Sequence, residues 1–151
     1  MTLPAIGARL QTEPFDSAAE QAALLANRSD LGAAVQFTGL VRADAGLVAL
    51  TLEHYPAMTL AQVQAIAADA AARWPDTIGT IIHRHGRLLP GDAIVLVTTA
   101  SPHRAHAFAA AQYLMDWLKT HAPFWKREEW ADGTSRWVEA KVSDDAAAAR
   151  W

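Results

Sequence analysis

The sequence predicts an α+β fold of antiparallel strand pairs, with two main helices packed on the sheet and a β-hairpin at the C-terminus. Two β-branched runs, residues 77–85 and 93–99, flank a turn-forming segment at residues 88–92 and are therefore expected to form an antiparallel pair. Two longer stretches repeat apolar residues at the period of a helix. This order of elements is typical of α+β proteins rather than of doubly wound parallel sheets.

The N-terminal third of the chain is predicted to contain one helix and one strand pair. Residues 16–27 are an alanine-rich candidate helix, and residues 32–38 are a candidate strand that Gly39 ends. A second strand over residues 47–55 follows the loop at residues 43–46, whose Asp and Gly suit a turn between strands. The two strands are therefore predicted to form a hairpin.

Both main helices carry start signals. Thr59 and Gln62 have the spacing of a capping box, at the beginning of an apolar period that continues to residue 74. Ser101 is a good N-cap for the second helix, because Pro102 then takes the first helical position, where its missing N–H is harmless. Pro123 stops that helix near residue 120 or 121.

The C-terminal part of the chain is predicted to be a hairpin followed by a tail. Residues 124–130 and 135–140 are candidate strands joined across an Asp-Gly turn, and Trp125 and Trp137 are placed to pack across them. The tail at residues 143–151 is either a solvated terminal helix or a segment that docks a partner. The sequence leaves both alternatives open.

Length, charge and composition restrict the function classes. Residues 1–151 fit a single domain that can bury a core without disulfides or metal. A net charge of -3 and a pI near 6.0 argue against nucleic acid as a general partner. No segment has the length of a membrane span and the N-terminus lacks an export signal, so a cytoplasmic location is expected. Because the chain has no cysteine, any sulfur chemistry must import its sulfur.

Two of the three lysines lie close together in the sequence. Lys119 and Lys126 bracket one short segment, which continues directly into Arg127 and Glu128. Arginine stays protonated, whereas a lysine amine loses its proton when it is buried or set beside another cation. Lysine can therefore supply a neutral base or nucleophile, and this segment is the first candidate for catalysis.

The long predicted helix separates two groups of candidate residues. His103 and Arg104 lie in its first turn, where free backbone N–H groups and the helix dipole favour an anion. Lys119 follows roughly 24 Å further along the axis of a continuous helix. One subunit cannot easily bring both ends to one small ligand, and an apolar helix needs cover on every side. A symmetric dimer with antiparallel helices is therefore expected.

Each of these residues also has a purely structural interpretation. Lys119 could pair with Asp116 in the preceding turn, and Lys126 could be a charge on an edge strand. His103 and Arg104 could be a solvated pair in the first helical turn. Before any other observation, the surface role is the more common one for such lysines.

The histidines offer a metal alternative. His83 and His85 share one strand face, and His103 and His106 share one helix face. Two ligands do not make a site, however, and no third ligand is evident in the sequence. A structural role is therefore favoured for His83, His85 and His106, and no metal is expected.

Five strings of residues, in one order and with compatible spacing from about residue 32 to the C-terminus, resemble a known family. They are Phe37-Thr-Gly-Leu-Val-Arg42, Leu52-Glu-His-Tyr-Pro-Ala-Met58, Ile82-His-Arg-His-Gly86, Ser101-Pro-His-Arg104 and Leu118-Lys-Thr-His-Ala-Pro-Phe-Trp-Lys-Arg-Glu128. Together they resemble the catalytic large subunit of molybdopterin synthase. The resemblance implies the α/β-hammerhead fold of that family.

The resemblance also implies an activity and its partners. In that family, cyclic pyranopterin monophosphate is converted to molybdopterin by insertion of two dithiolene sulfurs. The sulfurs arrive on the C-terminal thiocarboxylate of a small ubiquitin-like subunit. The resemblance therefore implies a sulfurtransferase of molybdenum cofactor biosynthesis that needs no cofactor of its own and works as a homodimer within a heterotetramer.

Site residues follow from the resemblance position by position. Lys119 matches the lysine beside the thiocarboxylate end, and Lys126 matches the second lysine of the pocket; proton transfer is assigned to Lys119. Leu40 stands where the family often has a basic residue, so a substrate contact there could only be apolar or through the backbone. The positions that bind the pterin or its phosphate are matched by Arg42, His103, Arg104, Arg127 and Glu128.

Two other function classes stay open on the residues alone. A non-catalytic module could bind an anion or a partner tail in the same basic pocket. A lyase could act on a phosphorylated small molecule through a lysine Schiff base, which borohydride would trap.

Overall fold

Eight strands and four helices make up the part of the chain that the computed structural model describes, residues 3–138 and 142–151. In chain order they are β1 (Ile6–Gln11), α1 (Ser17–Leu25), β2 (Ala33–Leu40), β3 (Leu47–Glu53), α2 (Pro56–Arg73), β4 (Ile78–Arg84), β5 (Gly86–Leu88), β6 (Ala93–Ser101), α3 (Arg104–His121), β7 (Trp125–Trp130), β8 (Ser135–Val138) and α4 (Val142–Ala149). The last predicted strand extended to residue 140, and residues 139–140 lie outside the described residues. Within the described ranges, no helix is both long and apolar enough to cross a membrane.

The strands form two four-stranded sheets, which we call the first and the second sheet. The first has the order β1-β4-β6-β2, and the second has the order β5-β3-β7-β8. β4 and β6 form the antiparallel pair predicted over residues 77–85 and 93–99, and β7 and β8 form the predicted C-terminal hairpin. The predicted α+β class is therefore confirmed.

The main core lies between the first sheet and the helices α2 and α3. Leu114 and Leu118 of α3 are buried in one cluster with Val63 of α2 and with Ile81 and Val97 of the sheet. Burying such a side chain contributes roughly 1.5–3 kcal/mol to stability. The cluster therefore holds α3 against the first sheet.

A smaller core supports the second sheet. Val41, Leu52 and Leu88 are buried together, and Phe124 packs against them from the residue before β7. Leu52 lies opposite Lys126 in the pairing of β3 with β7, so the two side chains share one face of the sheet. The segment that carries the lysines therefore rests on this smaller core.

The predicted hairpin of residues 32–38 and 47–55 is wrong. β2 pairs with β6 in the first sheet, whereas β3 pairs with β5 and β7 in the second. The register shifts after Gly39, which lies inside β2 rather than ending it, and the Val41 N–H then donates to the Asp92 carbonyl (2.8 Å). These contacts turn the chain away from the first sheet before β3 begins.

Both main helices begin elsewhere than predicted. α2 starts at Pro56, because proline fits the first helical position and its φ is already helical. Thr59 is buried inside this helix instead of capping it. Ser101 is the last residue of β6, and its Oγ accepts the N–H of His103, which is the N-cap of α3 (3.2 Å). α3 itself begins at Arg104.

The sequence interpretation missed β1 altogether. This strand pairs in parallel with β4, with Ile6 opposite Gly79. Ile6, Ala8 and Leu10 alternate along it and pack against the main core. This alternation over a few residues was the available signal, and β1 covers an edge of β4 that would otherwise face solvent.

The C-terminal tail is helical, and α4 packs on α3. The Trp151 ring lies 5.9 Å from Trp74 and 5.6 Å from Tyr113 between centroids. The Trp151 indole and the Arg150 guanidinium both donate hydrogen bonds to the carboxylate of Asp116 in α3. The end of the chain is therefore anchored on its own α3 rather than solvated.

Candidate active site

Lys119 lies in the last turn of α3, with its side chain exposed. The helix is continuous from Arg104 to His121, and Ala122 caps it, as the stop signal at residue 123 predicted. Phe124 then leads the chain into β7. Only a short loop therefore separates Lys119 from the strand that carries the second lysine.

Lys126 lies on β7, an internal strand of the second sheet. It is half-buried and stands opposite Leu52 of β3 and Val138 of β8, so its interpretation as an edge-strand charge is wrong. Glu128 follows two residues later on the same face, where its carboxylate accepts a hydrogen bond from Arg136 (3.1 Å). This face of β7 is the one turned towards the smaller core.

The two lysines converge on the buried imidazole of His83 in β4. His83 is 8% exposed, and burial, together with the positive charges of Lys126 and Lys119, lowers its pKa to about 4. Its Nδ1 lies 2.8 Å from the Arg84 carbonyl, so Nδ1 carries the proton of a neutral ring. Phe124 stacks on the ring at 4.0 Å between centroids and an angle of 17°. The structure therefore brings Lys119 and Lys126 to one site.

Two further histidines adjoin this site. The His54 ring lies 4.4 Å from the His85 ring and 5.4 Å from the Phe124 ring. Burial and the neighbouring His54 lower the pKa of His85. Tyr55 and Trp125 line a surface pocket together with His54. Sequence reasoning had given His83 and His85 a structural role, and the signal it passed over was their place in one of the five family strings.

His103 and Arg104 lie at the other end of α3. Both side chains are exposed, and the His103 side chain makes no capping hydrogen bond to the helix. Sixteen residues separate His103 from Lys119, which corresponds to about 24 Å of helix. One copy of the chain therefore does not bring these two groups together, and the dimer expected to do so stays a prediction.

Arg42 and Arg127 lie near the lysine end but on different surfaces. Arg42 is exposed directly after β2 and pairs with Asp44 (3.3 Å), while the preceding Val41 belongs to the smaller core. Arg127 follows Lys126 in β7, so its side chain leaves the opposite face of the second sheet. There its Nε is buried without a hydrogen-bond partner among the described residues. The structure does not bring Arg127 to the lysine face.

Asp116 does not neutralise Lys119. Its carboxylate is buried and accepts hydrogen bonds from Trp151, from Arg150 (2.9 Å) and from Gln112 (2.9 Å). Burial alone raises the pKa of Asp116, but these hydrogen bonds outweigh it and the net pKa is lowered. The interpretation of Lys119 as the ion-pair partner of Asp116 is therefore wrong.

The histidines are engaged in contacts other than metal ligation. His106 Nδ1 lies 2.9 Å from both carboxylate oxygens of Asp76, and His83 Nδ1 is bound to a backbone carbonyl. Among residues 3–138 and 142–151, no group of three or more His, Cys, Asp or Glu side chains is placed to hold a metal ion.

Known proteins carry the same sequence pattern and the same fold. Residues 10–121 match the family described as MoaE protein. The chain belongs to this family. A curated relative, the molybdopterin synthase catalytic subunit of Mesorhizobium japonicum, is 55% identical over 145 residues, which are 95% of this chain and 91% of the relative.

Solved structures of the family agree with the fold. The molybdopterin cofactor biosynthesis protein E from Burkholderia multivorans is 48% identical, with a TM-score of 0.84 over 97% of this chain and 96% of that one. The molybdopterin synthase from Staphylococcus aureus is 34% identical, with a TM-score of 0.77 over 86% of this chain and 95% of that one. These matches confirm the predicted family, fold and enzyme class, a sulfurtransferase that is a molybdopterin synthase catalytic subunit.

Proposed function

We propose that this chain converts cyclic pyranopterin monophosphate to molybdopterin with two sulfurs taken from the C-terminal thiocarboxylate of a small ubiquitin-like subunit. The observation that carries the proposal is the convergence of Lys119 and Lys126 on the buried, neutral His83. Two ammonium groups suit a site that must hold an anionic thiocarboxylate beside a phosphorylated substrate. The chain has no cysteine, so the sulfur has to come from outside this chain. Residues 1–151 act as one cytoplasmic domain.

The two lysines have different roles in this proposal. Lys119 is exposed at the end of α3, where a partner tail arriving from solvent can reach it, and we assign proton transfer to it. Lys126 is half-buried on an internal strand, which suits a fixed charge that holds the substrate. In this division of roles, Lys119 exchanges the proton while Lys126 stays charged and holds the substrate.

Substrate binding is assigned to Arg42, His103, Arg104, Arg127 and Glu128. Guanidinium groups make bidentate contacts to phosphate that a lysine cannot copy. His103 and Arg104 stand at the first turn of α3, where the helix dipole favours an anion. Arg127 contributes a buried Nε donor that lacks an acceptor within the described residues, and an anion or a partner chain would supply one.

A second copy of the chain completes the site. Antiparallel α3 helices would bring His103 of one copy to Lys119 of the other. The surface supports such an interface, because the edge strand β2 exposes Phe37 and Leu40, and α3 exposes Phe108 (40%, 59% and 63%). We therefore propose a central homodimer with one small subunit at each end, which together form a heterotetramer.

Reconstitution tests the reaction. The purified chain, the thiocarboxylated small subunit and the cyclic pterin should together form the dithiolene product. The same mixture with the small subunit as its plain carboxylate should form none, because the sulfur source is missing. If the folded chain forms no product from active components, the proposed reaction is refuted.

Mixed dimers test whether the site is shared. A heterodimer of Arg104→Ala and Lys119→Ala, purified through two different tags, keeps one intact site if the site combines two copies. About half of the wild-type turnover is then expected. A heterodimer of the double variant with a wild-type copy keeps none. A site within one copy predicts the reverse result for the two heterodimers, so the pair of measurements decides between them.

A further inference from the structure

A surface pocket at one end of the second sheet has no part in the roles assigned above. Its volume is about 360 Å³, and it is lined by Glu53, His54, Tyr55, Trp125 and Trp137. Glu53 ends β3 and lies opposite Trp125, which begins β7, while Trp137 belongs to the neighbouring strand β8. Because successive residues of a strand point to opposite faces, the pocket lies on the face away from Lys126.

Three exposed aromatic side chains give the pocket its shape. Tyr55, Trp125 and Trp137 are all exposed, although each is a large and mainly apolar group. The Tyr55 and Trp125 rings lie 4.9 Å apart between centroids and at 90° to each other. They therefore form a corner rather than a stack, which leaves π faces open to a ligand.

The charges of the lining select a cation. The face of an aromatic ring is electronegative and attracts an ammonium or guanidinium group, most strongly in tryptophan. The exposed carboxylate of Glu53 adds a full negative charge to the same pocket. An apolar occupant would remove this carboxylate from water without a counter-charge, which costs free energy. Arg127 shares this face of the sheet but does not line the pocket.

The pocket adjoins the segment that carries the lysines. Trp125 stands between Phe124 and Lys126 in the chain. His54 lines the pocket, and its ring also lies 5.4 Å from the Phe124 ring. A partner that brings its tail to the lysines is therefore placed to cover the pocket. Exposed tryptophan and tyrosine are also the side chains that most often dominate the binding energy of protein interfaces.

We propose that this pocket is a docking site for an arginine or lysine side chain of the small subunit, held by the three aromatic rings and the Glu53 carboxylate. The inference rests on the proposed function for the identity of the partner. It does not depend on the chemistry at the lysines, so it can be tested with the small subunit as its plain carboxylate.

Calorimetric titration of the chain with this unreactive small subunit tests the aromatic part of the site. Trp137→Leu keeps an apolar side chain but removes the π face, and we expect the Kd to rise about tenfold. Trp137→Phe keeps a π face and should raise the Kd less than about threefold. Trp125→Leu and Trp125→Phe should differ in the same way. Equal Kd values for the Leu and Phe variants would mean an apolar contact and would overturn the inference.

A double-mutant cycle tests the carboxylate and identifies the cation. Glu53→Gln should raise the Kd about tenfold, whereas Asp69→Asn, which removes an exposed carboxylate of α2 outside the pocket, should leave it unchanged. Each arginine and lysine of the small subunit is then replaced by methionine in turn. One replacement should weaken binding as much as Glu53→Gln does, and the pair together no more than either alone. Additive effects at every position would exclude a cation in the pocket.

Turnover separates this inference from the proposed function. In the reconstituted enzyme, Glu53→Gln and Trp137→Leu should raise the KM for the thiocarboxylated small subunit about tenfold and leave kcat within about twofold of wild type. An unchanged KM would overturn the docking site while the proposed reaction stands. A wild-type chain that binds no small subunit would refute the proposed partner, and the docking site with it.

Discussion

The two ends of α3 are held in different ways. At the C-terminal end, Asp116 stands one turn before Lys119 and is buried, with the tail residues Arg150 and Trp151 bound to its carboxylate. The loop after the helix is fixed as well, because Phe124 stacks on an imidazole of β4. The lysine end is therefore organised by contacts within one copy of the chain.

The N-terminal end is mostly open to solvent. His103 and Arg104 are exposed, and Asp76 contacts His106 in a pair whose side chains are 33% and 42% exposed. Water screens such a pair, so it holds the helix end weakly. One copy of the chain therefore organises the end of α3 to which we assign proton transfer, and it leaves exposed the end to which we assign phosphate binding.

The largest expected effect comes from removing Lys119, the group to which we assign proton transfer, at the organised end. Lys119→Ala should lower single-turnover dithiolene formation by about 10²–10⁴-fold, the usual contribution of a general acid–base group. Lys119→Arg is the matched control, because arginine keeps the charge but does not release its proton. We expect it to bind the small subunit and to be nearly as slow as Lys119→Ala. If Lys119→Arg retained most of the turnover, Lys119 would act through its charge alone.

Sequence reasoning located this organised end because its signals are local. Lys119, Lys126 and the proline stop between them lie in one short segment, so their proximity did not depend on tertiary structure. His83 was not recognised as part of the site, because it reaches the lysines only where β4 of the first sheet meets the loop before β7. Contacts between distant segments leave no spacing pattern in a single sequence.

Two of the errors in the fold, the hairpin after β2 and the start of α3, have the same origin. The turn signals after β2 are equally compatible with a hairpin and with a connection to the other sheet. The hydrogen bond from the Val41 N–H to the Asp92 carbonyl directs the chain into the second sheet. Ser101 and Pro102 have the local features of a helix start, but pairing of Ser101 with Ala33 keeps that residue in β6. In both places a tertiary hydrogen bond overrode a local preference.

Acid should destabilise the lysine end through His83. The unfolded chain takes up a proton on this residue near its usual pKa of 6.5, whereas the folded chain does so only near 4. The contribution of His83 to the free energy of unfolding is therefore fully present above pH 6.5 and is lost as the pH falls from 6.5 to 4. Below pH 4 this residue causes no further loss. The loss should reach about 3 kcal/mol at pH 4.

Urea unfolding between pH 7 and pH 4 measures this effect. His83→Gln cannot titrate, so the part of the pH dependence that belongs to His83 should disappear in that variant while the contributions of the carboxylates remain. A variant with the same pH dependence as the wild type would show that the His83 ring is already accessible to protons in the folded state.

The smallest expected effect is on the free energy of unfolding, and it comes from replacing the carboxylates near the two ends of α3, Asp116 and Asp76. Asp116→Asn keeps the shape of the side chain but removes the charge that three donors share. We expect a loss of about 2 kcal/mol in the free energy of unfolding, since each hydrogen bond to a buried charge contributes roughly 1.5–3 kcal/mol and the partly exposed Arg150 regains water. Asp76→Asn is the matched substitution at the other end.

Asp76→Asn should shift the urea midpoint much less than Asp116→Asn, and added salt should remove most of the shift, because an exposed ion pair is screened. The Asp116→Asn shift should persist in salt, since its carboxylate is buried. Hydrogen exchange gives a local version of the comparison: Asp116→Asn should expose amides of α4 and of the last turns of α3, whereas Asp76→Asn should affect only the first turn. Equal, salt-sensitive shifts in both variants would mean that the two ends of α3 are held alike, and the division of the site into a preorganised half and an assembled half would fail.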